Sequence, residues 1–249
     1  MFQNLAFHFG SYLELLGDSF SRPEKAKVYW RETLRQMDDI GIGSLIIVAI
    51  IAVFMGAVAA VQFAYQLDGQ LVPSYYIGYI VRDLAIIESA PTITCLVLAG
   101  KVGSNMTSEI GGMRQKEHID AMEIMGVNTA AFLIQPKIIA ALVMIPLLVA
   151  LAAAVAIVGG YLAVVLPGTI SSAAYIKGLQ SFFVPYNVFI MFVKSVIFAF
   201  IIVTISCYKG YNVKGGSVEL GAASTQAVVV SDIFILLADF FIAVLLTGN

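Results

Sequence analysis

The chain has 249 residues, of which 60% are hydrophobic and only 12% are charged. Soluble domains carry about 25% charged residues, so the composition excludes a soluble protein and indicates an integral membrane protein. A formal net charge of −2 gives no sign of a nucleic-acid partner.

The first forty residues are predicted to form amphipathic helices at the membrane surface, because they lack the uninterrupted apolar core of a signal peptide. The first helix places its apolar side chains on one face: Leu5, Phe9, Tyr12, Leu16 and Phe20. Residues 21–24, Ser-Arg-Pro-Glu, predict the capped start of a second helix. That helix carries Tyr29 and Trp30 among basic residues, which favours the headgroup region. The alternative is a cytosolic helix packed on its own bundle.

Five apolar segments follow, each long enough to supply the roughly 20 residues that a helix needs to cross the hydrocarbon core. The predicted spans cover residues 41–66, 77–102, 138–165, 188–208 and 227–246. Pro91 and Pro146 fall inside the second and third spans and predict kinks or a break. The sequence therefore predicts an all-α integral membrane protein with an interfacial segment, residues 1–40, and a five-span domain, residues 41–249.

Lysine and arginine are distributed unevenly among the loops. They are frequent before the first span, between the second and third spans, and between the fourth and fifth. Loop 67–76 has none, and the loop between the third and fourth spans has only Lys177. Because positive charges favour the cytoplasmic side, we expect the N-terminus in the cytoplasm and the C-terminus outside.

A charged segment, residues 104–126, separates the second and third spans and is predicted to be a cytoplasmic helix. Its charges cannot lie in hydrocarbon, and Met106, Ile110 and Met113 recur at the spacing of one helix face. Such a face would dock in a groove of a partner protein; the alternative is a solvated loop that only reconnects the spans. The charged candidates for this contact are Glu109, Arg114, Lys116, Glu117, Asp120 and Glu123.

Three ionisable residues are singled out inside the predicted spans. Glu88, Lys194 and Asp239 lie on the second, fourth and fifth spans. Because charges are costly in hydrocarbon, we expect them to pair with one another in the bundle interior. The cluster is either a polar point in a lipid or ion path, or a structural network that sets helix register.

The sequence contains no motif for catalysis, metal binding or nucleotide binding. Gly100-Lys101, its nearest approach to a phosphate-binding loop, lacks the upstream Gly and the following Ser or Thr. His8 and His118 are isolated, and Cys95 and Cys207 lie in apolar segments. We therefore expect no metal, no bound cofactor and no enzymatic activity. If the protein uses the energy of ATP, another subunit must bind the nucleotide.

The stretch from Glu88 to Ala140 contains two specific sequence blocks. They are E-I-G-x-M-R at residues 109–114 and I-D-A-x-x-x-M-G-V-N at residues 119–128. With this stretch the chain resembles the MlaE family of ABC transporter permeases, which also includes the chloroplast lipid-import permease. Further matches to the family are Phe54, Gly56, Gln62, Lys194-Ser195-Val196, Asn212 and Gly248-Asn249, so the resemblance covers most of the chain.

The resemblance implies a non-catalytic permease subunit in the inner membrane of a Gram-negative-type bacterium, with its C-terminus in the periplasm. It further implies a homodimer, two cytoplasmic ATPase subunits that use ATP and Mg, and a periplasmic MCE-domain protein. Segment 104–126 would be the helix that couples the permease to the ATPase. The cargo would be phospholipid, moved between the inner membrane and the MCE carrier so that the lipid asymmetry of the outer membrane is maintained.

By the same resemblance, a lipid cavity lies between the protomers and opens outward, beside the outer half of the first span. A two-chain lipid needs an apolar wall with a few polar groups, and this region supplies both. The expected cavity residues are Val58, Val61, Gln62, Tyr65, Gln66 and Leu67. Ordinary helix packing is the alternative for each of them.

Other functional classes make different demands on the same residues. A secondary transporter or channel would use Glu88, Lys194 and Asp239 as ion or proton sites, but five spans do not divide into two inverted halves. An intramembrane enzyme would need a nucleophile and a base set in the spans, and the sequence shows neither. A structural scaffold is a third class. Copurification of an ATPase would separate all three from a permease.

Overall fold

The computed structural model describes residues 2–20, 26–67 and 72–247, and the regular elements within these ranges are all helices. The N-terminal helix is Phe2–Ser19. Five candidate membrane spans, called spans 1 to 5, are Tyr29–Leu67, Tyr75–Gln115, Thr129–Val165, Pro185–Tyr211 and Ser217–Leu246. Short helices His118–Ile124 and Ser172–Gln180 follow spans 2 and 3, respectively. The predicted fold class, an all-α integral membrane protein with five spans, is confirmed.

Span 1 is continuous with the predicted second N-terminal helix. One helix runs from Ala26 to Leu67, a length of 42 residues. At a rise of 1.5 Å per residue such a helix is about 60 Å long, roughly twice the thickness of the hydrocarbon core. Its charged N-terminal part therefore extends beyond the hydrocarbon, and residue 40 is not a helix boundary. The predicted capping sequence, residues 21–24, lies outside the described residues.

The N-terminal helix contacts its own chain through Tyr12. The Tyr12 hydroxyl donates a hydrogen bond to Thr204 Oγ1 over 2.8 Å, and its ring packs edge-on against Tyr208 with the centroids 5.7 Å apart. Burial raises the pKa of the Tyr12 phenol. The side chains of Leu5 and Phe9 lie outside the described part of the chain, so the interfacial position of this helix stays a prediction.

Span 2 contains two π-helical stretches, Ala85–Ile93 and Ala99–Gly103. Pro91 lies inside the first of them. Proline has no N–H for the helical ladder and its ring crowds the preceding turn, and the wider π-turn relieves this conflict. Pro146, in contrast, lies inside the continuous α-helix of span 3.

The chain divides into two compact units. Unit 1 comprises the described parts of Met1–Gly43, Leu98–Met144 and Phe198–Leu237, and unit 2 those of Ser44–Val97, Ile145–Ile197 and Ala238–Asn249. Each unit therefore contains one end of every long helix except the N-terminal one, and each is described separately below.

Small residues allow the helices of unit 2 to approach closely. A Cβ on Gly56 would collide with the backbone of Ala156, and a Cβ on Gly159 would collide with the backbone of Val53. Spans 1 and 3 are thus in backbone contact, the arrangement by which membrane helices gain packing energy where no hydrophobic force draws them together. These four residues fix how the two spans pack in unit 2.

In unit 1, span 2 packs against span 4 through small and hydroxyl-bearing residues. The Thr107 hydroxyl donates to the carbonyl of Ser206 over 3.0 Å. A Cβ on Gly210 would lie within 3 Å of the Thr107 carbonyl oxygen. Met106 and Ile110 are buried in the same region, at 2% and 0% exposure. The end of span 2 is therefore an internal packing element of unit 1.

Candidate functional site

The three intramembrane charges come together in unit 2. Lys194 Nζ lies 3.0 Å from Glu88 Oε2 and 2.6 Å from Asp239 Oδ1. The Thr92 hydroxyl donates to Asp239 Oδ2 over 3.0 Å. Two carboxyl groups therefore share one ammonium group, and a hydroxyl on span 2 fixes the orientation of one of them. We call Glu88, Lys194 and Asp239 the charge cluster.

The members of the charge cluster differ in exposure. The Lys194 side chain is 1% exposed and that of Asp239 10%, whereas that of Glu88 is 50% exposed. Glu88 projects from the first π-helical stretch of span 2, and π-turns within α-helices frequently occur at functional sites. The cluster thus has a buried core and one acidic side chain at its surface.

Segment 104–126 is not the single helix that the sequence predicts. Ser104–Gln115 is the end of the helix of span 2, and His118–Ile124 is a separate helix. Glu117, between them, has φ 58°, a left-handed conformation that ends the first helix. Residue spacing cannot reveal such a break, because both pieces have helical periodicity.

Two of the three residues of the predicted Met/Ile face are buried within the chain itself, and Met113 is half-buried. Met106 and Ile110 are buried within unit 1, so the interpretation of this stripe as a free docking face is wrong. The exposed apolar side chains of the segment lie farther along, where Ile124 is 88% and Met125 72% exposed. Both fall at the end of helix His118–Ile124. We call these two residues the apolar tip.

The six charged candidates of the segment fall into three groups. Glu109 pairs with the buried Lys137 of span 3. Arg114 Nη1 lies 2.8 Å from Asp120 Oδ1 and 3.7 Å from Glu123 Oε1, so these three residues tie the two short helices together. The remaining two, Lys116 and Glu117, are exposed at the break.

The network around Arg114 extends into spans 3 and 4. The Arg114 guanidinium lies over the ring of Tyr211, 5.7 Å from its centroid. Glu123 Oε1 accepts hydrogen bonds from the Tyr211 hydroxyl over 2.9 Å and from the Thr129 hydroxyl over 3.3 Å. Helix His118–Ile124 is thereby joined to spans 3 and 4 by side-chain hydrogen bonds.

Half of the predicted lipid residues line a groove in unit 2. Val61, Tyr65 and Leu67 border an open cavity of about 340 Å³. The other lining residues are Ala64, Val72, Ser74, Ile77, Ala163, Val164, Thr169 and Ile170. Apolar side chains form most of the wall, and Tyr65, Ser74 and Thr169 add hydroxyl groups to it. We call this cavity the apolar groove.

The other three predicted lipid residues do not border the apolar groove. Val58 is 61% exposed on the surface of span 1, and Gln62 and Gln66 are also exposed. Val58 continues an exposed apolar row at four-residue spacing with Ile46, Ile50 and Phe54. In the membrane this row faces lipid or another subunit.

Sequence reasoning missed charged residues that the structure brings into prominence. Arg82 and Asp83 lie within the second predicted span, and Arg82 is 3% exposed. Asp232 lies within the fifth, and its Oδ1 is buried without a hydrogen-bond partner among the described residues. All three were visible as charges inside apolar segments, the same signal that identified the charge cluster.

Comparison with known proteins places these features in context. The sequence matches the family described as Permease MlaE over residues 33–245. It is 34% identical over 215 residues to a probable ABC transporter permease protein of Rickettsia bellii, covering 86% of this chain and 83% of that protein.

Two further relatives are named for specific systems. One is the intermembrane phospholipid transport system permease protein MlaE of Haemophilus influenzae, 29% identical over 236 residues, covering 94% of this chain and 89% of that protein. The other is the chloroplastic protein TRIGALACTOSYLDIACYLGLYCEROL 1 of Arabidopsis thaliana, 29% identical over 229 residues, covering 92% of this chain and 65% of that protein.

Proposed function

Because the chain belongs to the MlaE permease family, we propose that it is the non-catalytic membrane subunit of an ABC transporter for phospholipids. The transporter exchanges lipid between the inner membrane and a periplasmic MCE-domain protein, and so maintains the lipid asymmetry of the outer membrane. The name of the Haemophilus influenzae relative, a phospholipid transport permease, supports this cargo. A separate ATPase, which uses ATP and Mg, supplies the energy.

The charge cluster is the observation that carries the proposal. A half-exposed Glu88 on an apolar span is a costly feature, and the buried Lys194 holds it in place. A phospholipid presents both a negatively charged phosphate and, in phosphatidylethanolamine, a positively charged amine. An acidic group at the protein surface, backed by a buried ammonium, offers polar contacts to a headgroup that passes an otherwise apolar wall.

The apolar groove supports the same cargo. Val61, Leu67 and the neighbouring apolar side chains form a wall suited to acyl chains, and Tyr65 offers a hydroxyl group. Ligand sites are commonly apolar with a few polar groups that fix orientation. We propose that the groove receives part of a lipid molecule on its way to the carrier.

Dimerisation is proposed from the exposure of the outer spans. In spans 1 and 5, only 28% and 22% of the most apolar 18-residue stretch is buried within the chain. The corresponding share is 50% in each of the other three spans. The exposed apolar surfaces of these two spans are available to a second copy of the chain. A homodimer would place its lipid path at these spans.

The ATPase contact is proposed at the apolar tip. Ile124 and Met125 are exposed at the end of a helix that Arg114 and Glu123 join to the membrane helices. A groove on the ATPase that receives this tip would transmit its movement to spans 3 and 4. Lys116 and Glu117 would supply charged contacts at the edge. This assignment requires the loop between spans 2 and 3 to be cytoplasmic, as the distribution of positive charge predicts.

The function can be tested by reconstitution. The permease, coexpressed with its ATPase, is placed in vesicles that contain a fluorescent phospholipid, and transfer to a purified MCE-domain protein is followed with ATP or a non-hydrolysable analogue. ATP-dependent transfer, reduced by Glu88→Gln in the permease, is expected. Failure of an ATPase to copurify, together with proton or ion flux through vesicles of the permease alone, would favour a secondary transporter or channel that uses the charge cluster.

A further inference from the structure

The turn that precedes span 4 displays large apolar side chains to the outside. Phe182 is 62% exposed, Phe183 50% and Val184 47%. We call these three residues the aromatic turn. Ser181 separates them from helix Ser172–Gln180, and Pro185, the first residue of span 4, follows them. An exposed run of three apolar residues is unfavourable in water, so the environment of this turn needs an explanation.

A buried arginine holds the backbone of the turn. Arg82 Nη1 donates to the carbonyls of Leu179 and Ser181 over 2.6 and 2.8 Å, and Arg82 Nη2 donates to the carbonyl of Phe182 over 3.2 Å. Asp83, with a salt bridge of 2.7 Å, balances its charge. These carbonyls lie at the end of a helix, where partners are lacking and a positive charge is favourable. Arg82 thus fixes the place of the turn.

The rings of span 2 fix its direction. Phe182 has φ 53°, a left-handed conformation that a residue with a Cβ rarely adopts. Its ring stacks on Tyr76 with centroids 6.4 Å apart and meets Tyr79 edge-on at 5.8 Å. The guanidinium of Arg82 in turn lies over the ring of Tyr79 and over that of Phe183, 5.2 and 5.5 Å from their centroids. These contacts therefore hold Phe182 and Phe183 of the aromatic turn in fixed orientations.

The exposed surface of span 4 continues the aromatic turn. Tyr186 and Phe189 stack with centroids 6.0 Å apart, and both are exposed, at 47% and 57%. Phe192 and Val196 extend the same surface along the span. The sequence from Gly178 to Val193 contains no charged residue. A surface that continues into the lipid-facing side of a membrane helix without a charge has the chemistry of the membrane interface.

We propose that the aromatic turn is a membrane anchor, inserted among the glycerol groups and upper acyl chains of the leaflet at the start of span 4. Phe and other large apolar side chains insert at the boundary between the headgroups and the acyl chains, and the neighbouring Tyr76, Tyr79 and Tyr186 are rings of the kind enriched at that level. Arg82 is the positioning residue, because its hydrogen bonds to the backbone carbonyls of the turn set the depth at which the turn lies in the bilayer. The anchor fixes the loop between spans 3 and 4 to the bilayer surface, independently of what the protein transports.

Tryptophan fluorescence tests the anchor directly, because Trp30 is the only native tryptophan. In a Trp30→Phe background, Phe182→Trp and Phe183→Trp are each placed in phosphatidylethanolamine–phosphatidylglycerol vesicles. A tracer phosphatidylcholine carries bromine either near the glycerol or near the chain end. We expect blue-shifted emission and greater loss of intensity with the shallow bromine. Lys116→Trp, at an exposed polar position, is the control and should keep water-like emission with either lipid.

The role of Arg82 is tested in the same Phe182→Trp protein. Arg82→Gln should shift the emission toward that of water and remove the preference for the shallow bromine, whereas Arg82→Lys should restore part of it. Loss of the protein in Arg82→Gln would leave the two tryptophan variants to decide. Water-like, unquenched emission from both of them would overturn the proposal, as would emission that turns blue only when an MCE-domain protein is added.

Discussion

Lys194 lies closer to Asp239 than to Glu88, with 2.6 Å between Nζ and Oδ1 against 3.0 Å between Nζ and Oε2. Asp239 is also the more deeply buried acid, and the Thr92 hydroxyl donates a hydrogen bond to it. The charge cluster therefore consists of a buried ion pair with a second acid at its surface. The two acids differ accordingly: Asp239 compensates the buried charge, and Glu88 is the exposed acid that the proposed headgroup contact would use.

This asymmetry predicts the outcome of neutralising Lys194. Lys194→Met leaves Asp239 buried without a counter-charge and should destabilise the protein by about 3 kcal/mol or more. Asp239→Asn should rescue the variant better than Glu88→Gln, because the half-exposed Glu88 has less need of a partner. The measurement is the thermal unfolding temperature of the purified permease in detergent. Equal rescue by the two second changes would contradict the assignment.

The sequence was sufficient to predict the five membrane spans and the charge cluster. Apolar segments of membrane length are strong signals, and Glu88, Lys194 and Asp239 stood out because charges are rare inside them. The same reasoning applied evenly would have found Arg82 and Asp83. The pairing distances and the difference in exposure between Glu88 and Asp239 depend on tertiary packing, which a single sequence does not reveal.

The coupling segment illustrates what periodicity cannot decide. Met106, Ile110 and Met113 have the spacing of an amphipathic helix, but spacing does not say whether the apolar face packs on the same chain or on a partner. Met106 and Ile110 pack internally. The break at Glu117 depends on one left-handed residue, which no local sequence pattern demands.

The apolar tip predicts a specific defect in ATPase assembly. Ile124→Asp or Met125→Asp should lower the amount of ATPase that copurifies with the permease and leave the yield of the permease itself unchanged, because both side chains are exposed. Leu166→Asp is the matched control. Leu166 is 78% exposed in the loop after span 3, on the opposite side in the predicted topology. Normal assembly in both tip variants would move the ATPase contact elsewhere on this segment.

The backbone contact between spans 1 and 3 predicts where a glycine cannot be replaced. Gly56→Val would press its side chain against the backbone of Ala156, and Gly159→Val would do the same against Val53. Overpacking typically costs about 1–3 kcal/mol, and we expect the upper end of this range because the backbone cannot move aside. Gly221→Ala, where nothing lies within 4 Å of the added atom, should be neutral or stabilising by up to about 1 kcal/mol. Detergent unfolding curves compare the three variants.

Two substitutions on span 1 distinguish the apolar groove from the exposed row of the same helix. Ala64 borders the groove, whereas Val58 lies on the exposed row of the same helix. Ala64→Phe should fill part of the groove and reduce both the phospholipid that copurifies with the permease and ATP-dependent transfer. Val58→Phe adds a ring to the same span outside the groove and should leave both unchanged.

A photo-crosslinking residue at Tyr65 gives the direct measurement for this site. Tyr65 borders the groove and is 83% exposed, so in membranes it should capture phospholipid, and Ala64→Phe should reduce that capture. Because both variants lie on one helix, their difference reports the groove and not a general loss of membrane packing. Equal transfer by Ala64→Phe and the unchanged protein, with crosslinks from Tyr65 only to protein, would assign the lipid path to another face.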